Sequence, residues 1–152
     1  MIKIMFVCHG NICRSPMAEF IFKDIVIKNN AEKDFLIDSC ATSTEEIGNP
    51  VYPPAVSELK RHNIKLYPHH AKQITKSDYD KFDLIICMEK YNIRNLTRVI
   101  GDDKDNKVHL LMEYAGISRD VADPWYTRNF ESAYNDIVTG CTALFNSLKE
   151  KL

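Results

Sequence analysis

The sequence predicts an α/β fold, with a single doubly wound domain over residues 1–152 and a four-stranded parallel sheet flanked by helices. Short apolar runs rich in β-branched residues alternate with amphipathic segments, and 152 residues suffice for one ordinary domain but not for two. No internal repeat, low-complexity tract or long linker interrupts this alternation. Strands that alternate with helices in this way usually pair in parallel, with helices covering both faces of the sheet.

The first predicted strand comprises residues 2–7 (IKIMFV), and a polar loop of eight residues follows it. We predict a helix from residue 15, because Ser15 can cap a helix and Pro16 is tolerated at the first helical position. Apolar residues then recur at helical spacing as far as residue 27. The chain therefore begins with a strand, a tight loop and an amphipathic helix.

The same alternation continues to the end of the chain. We predict strands at residues 35–41, 84–88 and 108–112, and helices at residues 54–62, 91–100 and 129–148. Residues 42–54 follow a strand and precede a helix, which in an open α/β sheet can place them beside the ligand crevice. Residues 101–107 (GDDKDNK) are interpreted as a solvated surface turn. The order of the strands in the sheet stays open.

Composition and charge exclude several classes of function. The 20 basic residues balance 21 acidic ones, so binding to nucleic acid or to an anionic membrane by charge alone is not expected. No apolar run approaches the roughly 20 residues of a spanning helix, and no secretion signal is visible. The five cysteines are scattered and odd in number, which suits a reducing compartment better than a disulfide framework. A cytoplasmic protein is therefore expected.

Neither a metal nor a cofactor is expected. Cys8 and Cys13 stand without a second cysteine pair or a histidine cluster at the spacing of zinc ligands. His69 and His70 are adjacent, but neighbouring residues rarely bind one ion and no carboxylate partner is placed beside them.

The most informative segment is the octet CHGNICRS, in which five residues separate Cys8 from Arg14 between a strand end and a helix start. A helix N-terminus presents unpaired amides and positive potential, so a loop that curls into it can form a cradle for an anion. Arg14 adds a planar fork that binds two phosphate oxygens, and the positive surroundings favour the Cys8 thiolate. The octet therefore predicts a phosphate-binding loop with a nucleophile at its base.

Other residues of the octet fit the same geometry. Gly10 permits close approach of the backbone, and Asn11 is among the few non-glycine residues that tolerate a positive φ. Ser15 can hydrogen-bond the thiolate. The simpler alternative is that Cys8 is one more buried cysteine, and an arginine six positions later occurs by chance. The strand before the octet and the helix start after it favour the catalytic interpretation.

The sequence resembles the low-molecular-weight protein tyrosine phosphatases. The resemblance covers nearly the whole chain and is carried by VCHGNICRSPMAE at residues 7–19, IDS at 37–39, HHAKQ at 69–73, LIICM at 84–88 and DPWY at 123–126. It implies a phosphatase that hydrolyses phosphotyrosine through a phosphocysteine on Cys8, with Arg14 clamping the phosphate. Asp123 falls on the general acid, which later acts as the base. The phosphate-binding loop would comprise His9, Gly10, Asn11, Ile12, Cys13, Arg14 and Ser15.

The resemblance also implies walls for the substrate and supports for the loop. The predicted walls are Ile12, Glu45, Tyr52, Trp125 and Tyr126, and the predicted supports are Asn11, Ser15, Ser39 and His69. The wall at residues 44–46 (TEE) departs from the family, in which a large aromatic residue is common, and Tyr52 is the nearest aromatic substitute. We therefore expect Glu45 and Glu46 to disfavour strongly acidic phosphopeptides. Tyr126 resembles a position that kinases modify in this family.

The expected partner is a protein or peptide that carries phosphotyrosine, and inorganic phosphate is the expected product. The protein is expected to act as a monomer, with weak dimerisation as the alternative. Cys13 lies close to Cys8 in sequence and could form a reversible disulfide with it under oxidation.

Two other functions compete with this interpretation. A thioredoxin-coupled arsenate reductase shares the cysteine–arginine loop but needs further redox cysteines close together downstream, and Cys87 has no such neighbour. A binding module that captures phosphate without turnover would be expected to lose Cys8, Arg14 or Asp123, yet all three are present.

Overall fold

The computed structural model describes residues 1–152 and contains one sheet of four parallel strands. The strands are β1 (Ile2–Cys8), β2 (Phe35–Ala41), β3 (Leu84–Cys87) and β4 (Val108–Leu110), in the spatial order β2-β1-β3-β4. β1 pairs with β2 along its whole length, from Ile2 opposite Phe35 to Cys8 opposite Ala41. The predicted fold class is confirmed, and the strand order, which the sequence left open, places β1 inside the sheet.

Six α-helices connect and cover the strands. They are α1 (Arg14–Lys28), α2 (Pro53–Arg61), α3 (Lys76–Lys81), α4 (Lys90–Ile100), α5 (Pro124–Thr127) and α6 (Phe130–Leu148). Short 3-10 turns lie at Glu32–Asp34, Leu111–Ala115 and Lys149–Lys151. The sequence did not predict α3 and α5, because helices of six and four residues are too short to show a repeating apolar pattern. The strand predicted at residues 108–112 ends at Leu110, where a 3-10 turn begins.

The prediction for the start of α1 was wrong. The helix begins at Arg14 after Cys13, whose side chain makes no capping hydrogen bond, so Pro16 occupies the third helical position. Ser15 does not cap the helix, because its hydroxyl points back into the loop towards the Cys8 thiol. All residues from Arg14 to Phe22 are buried, since this half of α1 lies under the loop and between the sheet and α6.

The sheet has an apolar layer on each face, as a doubly wound fold requires. Alternate residues of β1 point to opposite faces: Ile4, Phe6 and Cys8 belong to the larger cluster that α1 and α6 cover. Met5 and Val7 belong to the smaller cluster under α3 and α4. None of the helices has the length and apolar character required to cross a membrane.

The sheet topology determines where a crevice can form. After β1 the chain passes to β2 on one side of the sheet, and it later returns to β3 on the other side of β1. The connections on the two sides therefore diverge at the carboxyl end of β1, which is the position where open α/β sheets bind their ligands. Cys8 is the last residue of β1 and lies at this point.

Candidate active site

A cavity of about 130 Å³ opens at the carboxyl end of β1, next to Cys8. Cys8 is only 3% exposed, and its Sγ lies 3.0 Å from the Ser15 Oγ. The Asn11 N–H donates to the same Sγ at 3.3 Å. The Asn11 N–H donates to the sulfur and the Ser15 hydroxyl can donate to it as well, which is an arrangement that stabilises a thiolate. The cavity is lined by Cys8, His9, Gly10, Ile12, Cys13, Arg14, Glu45, Glu46, Asp123, Trp125 and Tyr126.

Arg14 is the largest fully buried side chain of the protein, and three groups fix its guanidinium. Nη1 donates to the Val121 carbonyl at 2.9 Å, while the Glu89 and Asp123 carboxylates each lie 3.3 Å away. Burial alone would lower the pKa of Arg14, but the nearby negative charges of Cys8, Asp123 and Glu89 outweigh it and raise the pKa. Arg14 therefore keeps a positive charge beside the cavity, and its contacts with Val121, Glu89 and Asp123 fix the orientation of the guanidinium plane.

Asn11 holds the shape of the loop. Its φ of 61° is in the left-handed region, which costs a residue with a Cβ some free energy. The His69 Nε2 bonds the Asn11 carbonyl at 2.7 Å, and the Lys72 N–H donates to the Asn11 Oδ1 at 3.2 Å. The Asn11 Nδ2 donates to both the Ser15 and the Ser39 hydroxyls. The four residues predicted as loop supports are thus joined in one hydrogen-bonded network.

Asp123 reaches the cavity from the start of α5. Its Oδ1 accepts from the Trp125 N–H at 3.0 Å and caps the helix, while its Oδ2 lies 3.3 Å from the Arg14 Nη2. The short helix also presents Trp125, which is 43% exposed, and Tyr126, which is 81% exposed. One wall of the cavity is therefore aromatic, and it adjoins the carboxylate.

Tyr52 does not line the cavity, although we expected it in a wall. Its ring packs against Trp125 at 4.8 Å between centroids, and its hydroxyl accepts from the Arg128 Nη2 at 3.2 Å. Tyr52 directly precedes α2, and through its contact with Trp125 it supports the wall without lining the cavity. The fifth predicted wall residue, Ile12, does line the cavity.

The opposite wall is acidic. The Glu45 carboxylate lies 3.0 Å from the His9 Nε2, and Glu46 accepts from the Asn49 side chain. Glu46 also packs over Gly10, where a Cβ would come within 3.4 Å of the Glu46 Cγ. Residues 42–54 thus lie beside the crevice as the sequence indicated, and they contribute two carboxylates to its rim.

Three contacts of this site involve residues that the sequence did not indicate: Glu19, Glu89 and Val121. Neither Glu89 nor Val121 belongs to a recognisable sequence motif, and only the fold brings them close to Arg14. Glu19 lies within the matched motif of α1, but a glutamate in a helix is ordinarily exposed. Glu19 is only 5% exposed here, so it makes its contacts in the protein interior. No group of three or more side chains that could hold a metal ion is present.

The fold and the site together define a phosphoric monoester hydrolase of the cysteine-dependent kind. The family model described as low molecular weight phosphotyrosine protein phosphatase matches residues 3–152, and the chain belongs to this family. Among curated relatives, YfkJ of Bacillus subtilis, named a low molecular weight protein-tyrosine-phosphatase, is 39% identical over 99% of this chain and 98% of its own. The human low molecular weight phosphotyrosine protein phosphatase is 41% identical over 93% of this chain and 92% of its own.

Solved structures agree with this assignment. The crystal structure of YfkJ superposes with a TM-score of 0.95 over 99% of this chain and 96% of that one. The structure of DARP, described as a Drosophila arginine phosphatase, is 30% identical, with a TM-score of 0.89 over 97% of this chain and 98% of that one. The same fold therefore occurs in phosphatases named for different phosphorylated residues.

Proposed function

We propose that the protein hydrolyses phosphotyrosine in proteins or peptides through a phosphocysteine on Cys8, with Arg14 holding the phosphate and Asp123 acting first as acid and then as base. The observation that carries this proposal is that Cys8 and Arg14, from one loop, line a single cavity together with Asp123, which comes from a distant part of the chain. The nucleophile lies at its base, the cation beside it and the carboxyl group near its mouth.

In the first step the Cys8 thiolate attacks phosphorus. A sulfur–phosphorus bond forms as the bond from phosphorus to the tyrosine oxygen breaks, and the Asp123 carboxyl donates its proton to the departing oxygen. Arg14 and the loop amides stabilise the charge on the equatorial phosphoryl oxygens. Because Arg14 is already fixed by Val121 and Glu89, it needs little rearrangement to do so.

In the second step water releases the phosphate. Asp123, now ionised, takes a proton from the water as its oxygen attacks phosphorus, and the sulfur–phosphorus bond breaks. Inorganic phosphate leaves, and Cys8 returns to the thiolate. The Ser15 hydroxyl, 3.0 Å from the Cys8 Sγ, can donate to the sulfur in both steps. It stabilises the nucleophile and then the leaving group.

The walls support phosphotyrosine as the substrate. Trp125 and Ile12 offer apolar surface to a phenyl ring, and Cys8 lies at the base of the cavity with 3% exposure. A long, flat side chain can deliver phosphate to that depth while its backbone stays outside, whereas phosphoserine is too short. The cavity is complete within one chain, which supports a monomer as the active form.

The proposal is tested by turnover of p-nitrophenyl phosphate and a phosphotyrosine peptide with a chelator present. The wild-type protein should hydrolyse both, and Cys8→Ser should lose at least about a thousandfold in kcat. Cys141→Ser, which changes another buried cysteine far from the cavity in sequence, serves as the matched control. Retained activity in Cys8→Ser would refute the mechanism. Faster hydrolysis of phosphoserine or phosphoarginine peptides would refute the substrate.

A further inference from the structure

Helix α5 is a single turn of four residues, yet both the candidate acid and the aromatic wall of the cavity depend on it. Asp123 directly precedes the helix, and its carbonyl accepts from the N–H groups of Tyr126 and Thr127, each at 3.1 Å. The Asp123 carboxylate accepts from the Trp125 N–H. Because the acid and the indole belong to one hydrogen-bonded turn, a shift of Trp125 also moves the Asp123 carboxyl group.

Few contacts hold this turn in place. Pro124 is buried, but no other helix or strand packs extensively against α5. A helix of one turn is not stable by itself, because it has too few internal hydrogen bonds. At its start the Asp123 carboxylate pairs with Arg14. The position of the turn therefore depends strongly on the contacts at its other end.

Arg128 directly follows α5 and makes those contacts. Its φ of 58° is in the left-handed region, where a residue with a Cβ has a cost that glycine would not have. The Arg128 Nη2 donates to the Tyr52 hydroxyl at 3.2 Å, and its Nη1 donates to the Trp125 carbonyl at 3.4 Å. The guanidinium also lies over the Tyr52 ring, 5.6 Å from its centroid. One side chain thus joins the backbone of α5 to Tyr52.

Tyr52 connects these contacts to the phosphate-binding loop. Its backbone N–H donates to the carbonyl of Ile12, a residue of that loop, at 2.8 Å. Its side chain makes the contacts with α5, since the ring packs against Trp125 and the hydroxyl accepts from Arg128. The backbone of Tyr52 therefore belongs to the loop side of the cavity, whereas its side chain belongs to the acid side.

We propose that Tyr52 and Arg128 position Asp123 for proton transfer, because together they tie α5 to the phosphate-binding loop. The inference rests on the proposed role of Asp123 as the acid. Neither Tyr52 nor Arg128 lines the cavity, so both act through α5 and are positioning residues. Displacement of a reacting group by about 1 Å is enough to slow a proton transfer markedly.

Arg128→Asn tests the proposal directly, since asparagine tolerates a positive φ but is too short to bond the Tyr52 hydroxyl. The chain contains one tryptophan, so acrylamide quenching of its fluorescence reports the exposure of Trp125 alone. Trp125 is 43% exposed, and we expect the quenching constant to rise, by at most about twofold, as the ring loses its fixed place against Tyr52.

The kinetic readout compares two leaving groups. In Arg128→Asn, kcat for a phosphotyrosine peptide should fall about three- to tenfold, whereas kcat for p-nitrophenyl phosphate should stay within about twofold, because nitrophenolate needs less protonation. When Asp123→Asn is already present, Arg128→Asn should cost less than about twofold more, since the proton donor is gone. Tyr52→Phe keeps the ring and removes only the hydroxyl, so it should show smaller changes in the same direction.

Arg61→Asn is the matched control. Arg61 lies in the same surface groove as Arg128 but pairs with Glu58, so this variant loses the same charge and should keep the wild-type quenching and kcat. Thermal unfolding checks each variant, and Tyr52→Phe carries the test if Arg128→Asn does not fold.

Three results would overturn the positioning role of Tyr52 and Arg128. They are unchanged quenching in Arg128→Asn, an equal loss of kcat on both substrates, and a full further loss when Asp123→Asn is already present. Failure of the proposed function would look different, because the wild-type protein would then hydrolyse neither substrate. The quenching measurement needs no turnover and would still show whether Arg128 holds α5.

Discussion

The Asp123 carboxylate lies 3.3 Å from the Arg14 guanidinium, although 108 residues separate them along the chain. The other Asp123 oxygen is held by the Trp125 N–H, so the carboxyl group is oriented by its own helix. The candidate acid therefore lies beside the guanidinium that we propose binds the phosphate, and both groups line the same cavity as Cys8. This placement suits protonation of an oxygen that leaves in the direction away from the sulfur.

Asp123→Asn should lower kcat for phosphotyrosine peptides by about a hundred- to a thousandfold, because the tyrosine oxygen would leave without a proton. Asparagine keeps the size of the side chain and can still accept from the Trp125 N–H, so α5 should stay in place. The loss should be smaller for p-nitrophenyl phosphate, whose leaving group is more acidic and needs less help. Steady-state kinetics on the two substrates measures the difference.

Asp120→Asn is the matched control for Asp123, since it lies in the same segment and accepts from the Lys90 N–H rather than facing Arg14. Its kcat should stay within about twofold of the wild-type value. If Asp123→Asn lost the same factor on both substrates, the carboxyl group would be acting on binding or structure rather than as an acid.

Cys13 should protect Cys8 from irreversible oxidation. Burial, together with the negative charges of Cys8 and Asp123, raises the pKa of Cys13 to about 12, so Cys13 stays a thiol at neutral pH. Peroxide should therefore oxidise the Cys8 thiolate first, giving a sulfenic acid and hydroxide. The Cys13 sulfur then attacks, water leaves, and a Cys8–Cys13 disulfide forms that a thiol can reduce. Peptide mapping after mild peroxide should find this bond.

In Cys13→Ser the same treatment should give the sulfinic acid of Cys8 and a loss of activity that dithiothreitol does not reverse. Cys87→Ser provides the control. Cys87 is buried in the smaller apolar cluster, so its substitution should leave the recovery of activity by dithiothreitol unchanged. Full recovery of the Cys13→Ser protein would show that Cys13 has no protective role.

The sequence predicted the fold and the loop because both leave local patterns. β1 is a short, mostly apolar run, and the residues from Cys8 to Arg14 lie between that run and a helix, so their proximity could be predicted without the tertiary structure. The start of α1 was misplaced for a physical reason. Serine followed by proline is a good capping sequence, but here the hydroxyl is used by Cys8 and Asn11, and the backbone alone starts the helix.

The rest of the site depends on contacts between distant residues. Glu89, Val121 and Asp123 reach Arg14 only because β1 and β3 are neighbours and the loops after them meet at one edge of the sheet. Tyr52 was placed in the wall from its position in the chain, but in the structure it packs against Trp125 and does not line the cavity. The sequence could predict that Tyr52 lies near the crevice, but it could not predict which of the two rings, Tyr52 or Trp125, lines the cavity.

Asp103 should stabilise the loop at residues 101–107, which is an exposed surface turn, as its composition suggested. Its carboxylate accepts from the Tyr79 hydroxyl at 2.6 Å, the Lys107 N–H at 2.8 Å and the Val108 N–H at 3.0 Å. Burial alone would raise the pKa of Asp103, but these hydrogen bonds lower it. The stabilisation is therefore complete above the ordinary aspartate pKa of about 3.9 and is lost as the pH falls through the lower pKa of the folded state.

Asp103→Asn should accordingly lower the unfolding temperature at pH 7 by about 2–4 °C, as expected for the loss of roughly 1 kcal/mol in a domain of this size. The difference in unfolding temperature between Asp103→Asn and the wild-type protein should become smaller below about pH 4. Asp102→Asn removes the same charge from the same loop and controls for net charge. A difference that stayed constant down to pH 2 would mean that the ionisation of Asp103 does not contribute.

Glu45 and Glu46 should make the enzyme prefer phosphotyrosine peptides with basic neighbours. Both carboxylates lie on the rim of the cavity opposite Trp125, and only Glu45 has a cationic partner, His9, which is charged only when protonated. An acidic residue beside phosphotyrosine would approach this rim against like charge, whereas a lysine or arginine would be attracted. We expect kcat/KM for a basic peptide to exceed that for a matched acidic one by about three- to tenfold at low salt.

Glu45→Gln combined with Glu46→Gln should remove most of this preference, chiefly by raising kcat/KM for the acidic peptide. Turnover of p-nitrophenyl phosphate should change little, since that substrate has no flanking residues. Glu32→Gln with Glu150→Gln makes the same change in net charge at the far edge of the sheet, near the start of β2 and the end of α6. An equal loss of preference in this control pair, or a preference that persists at high salt, would assign the effect to overall charge or to shape and not to the rim.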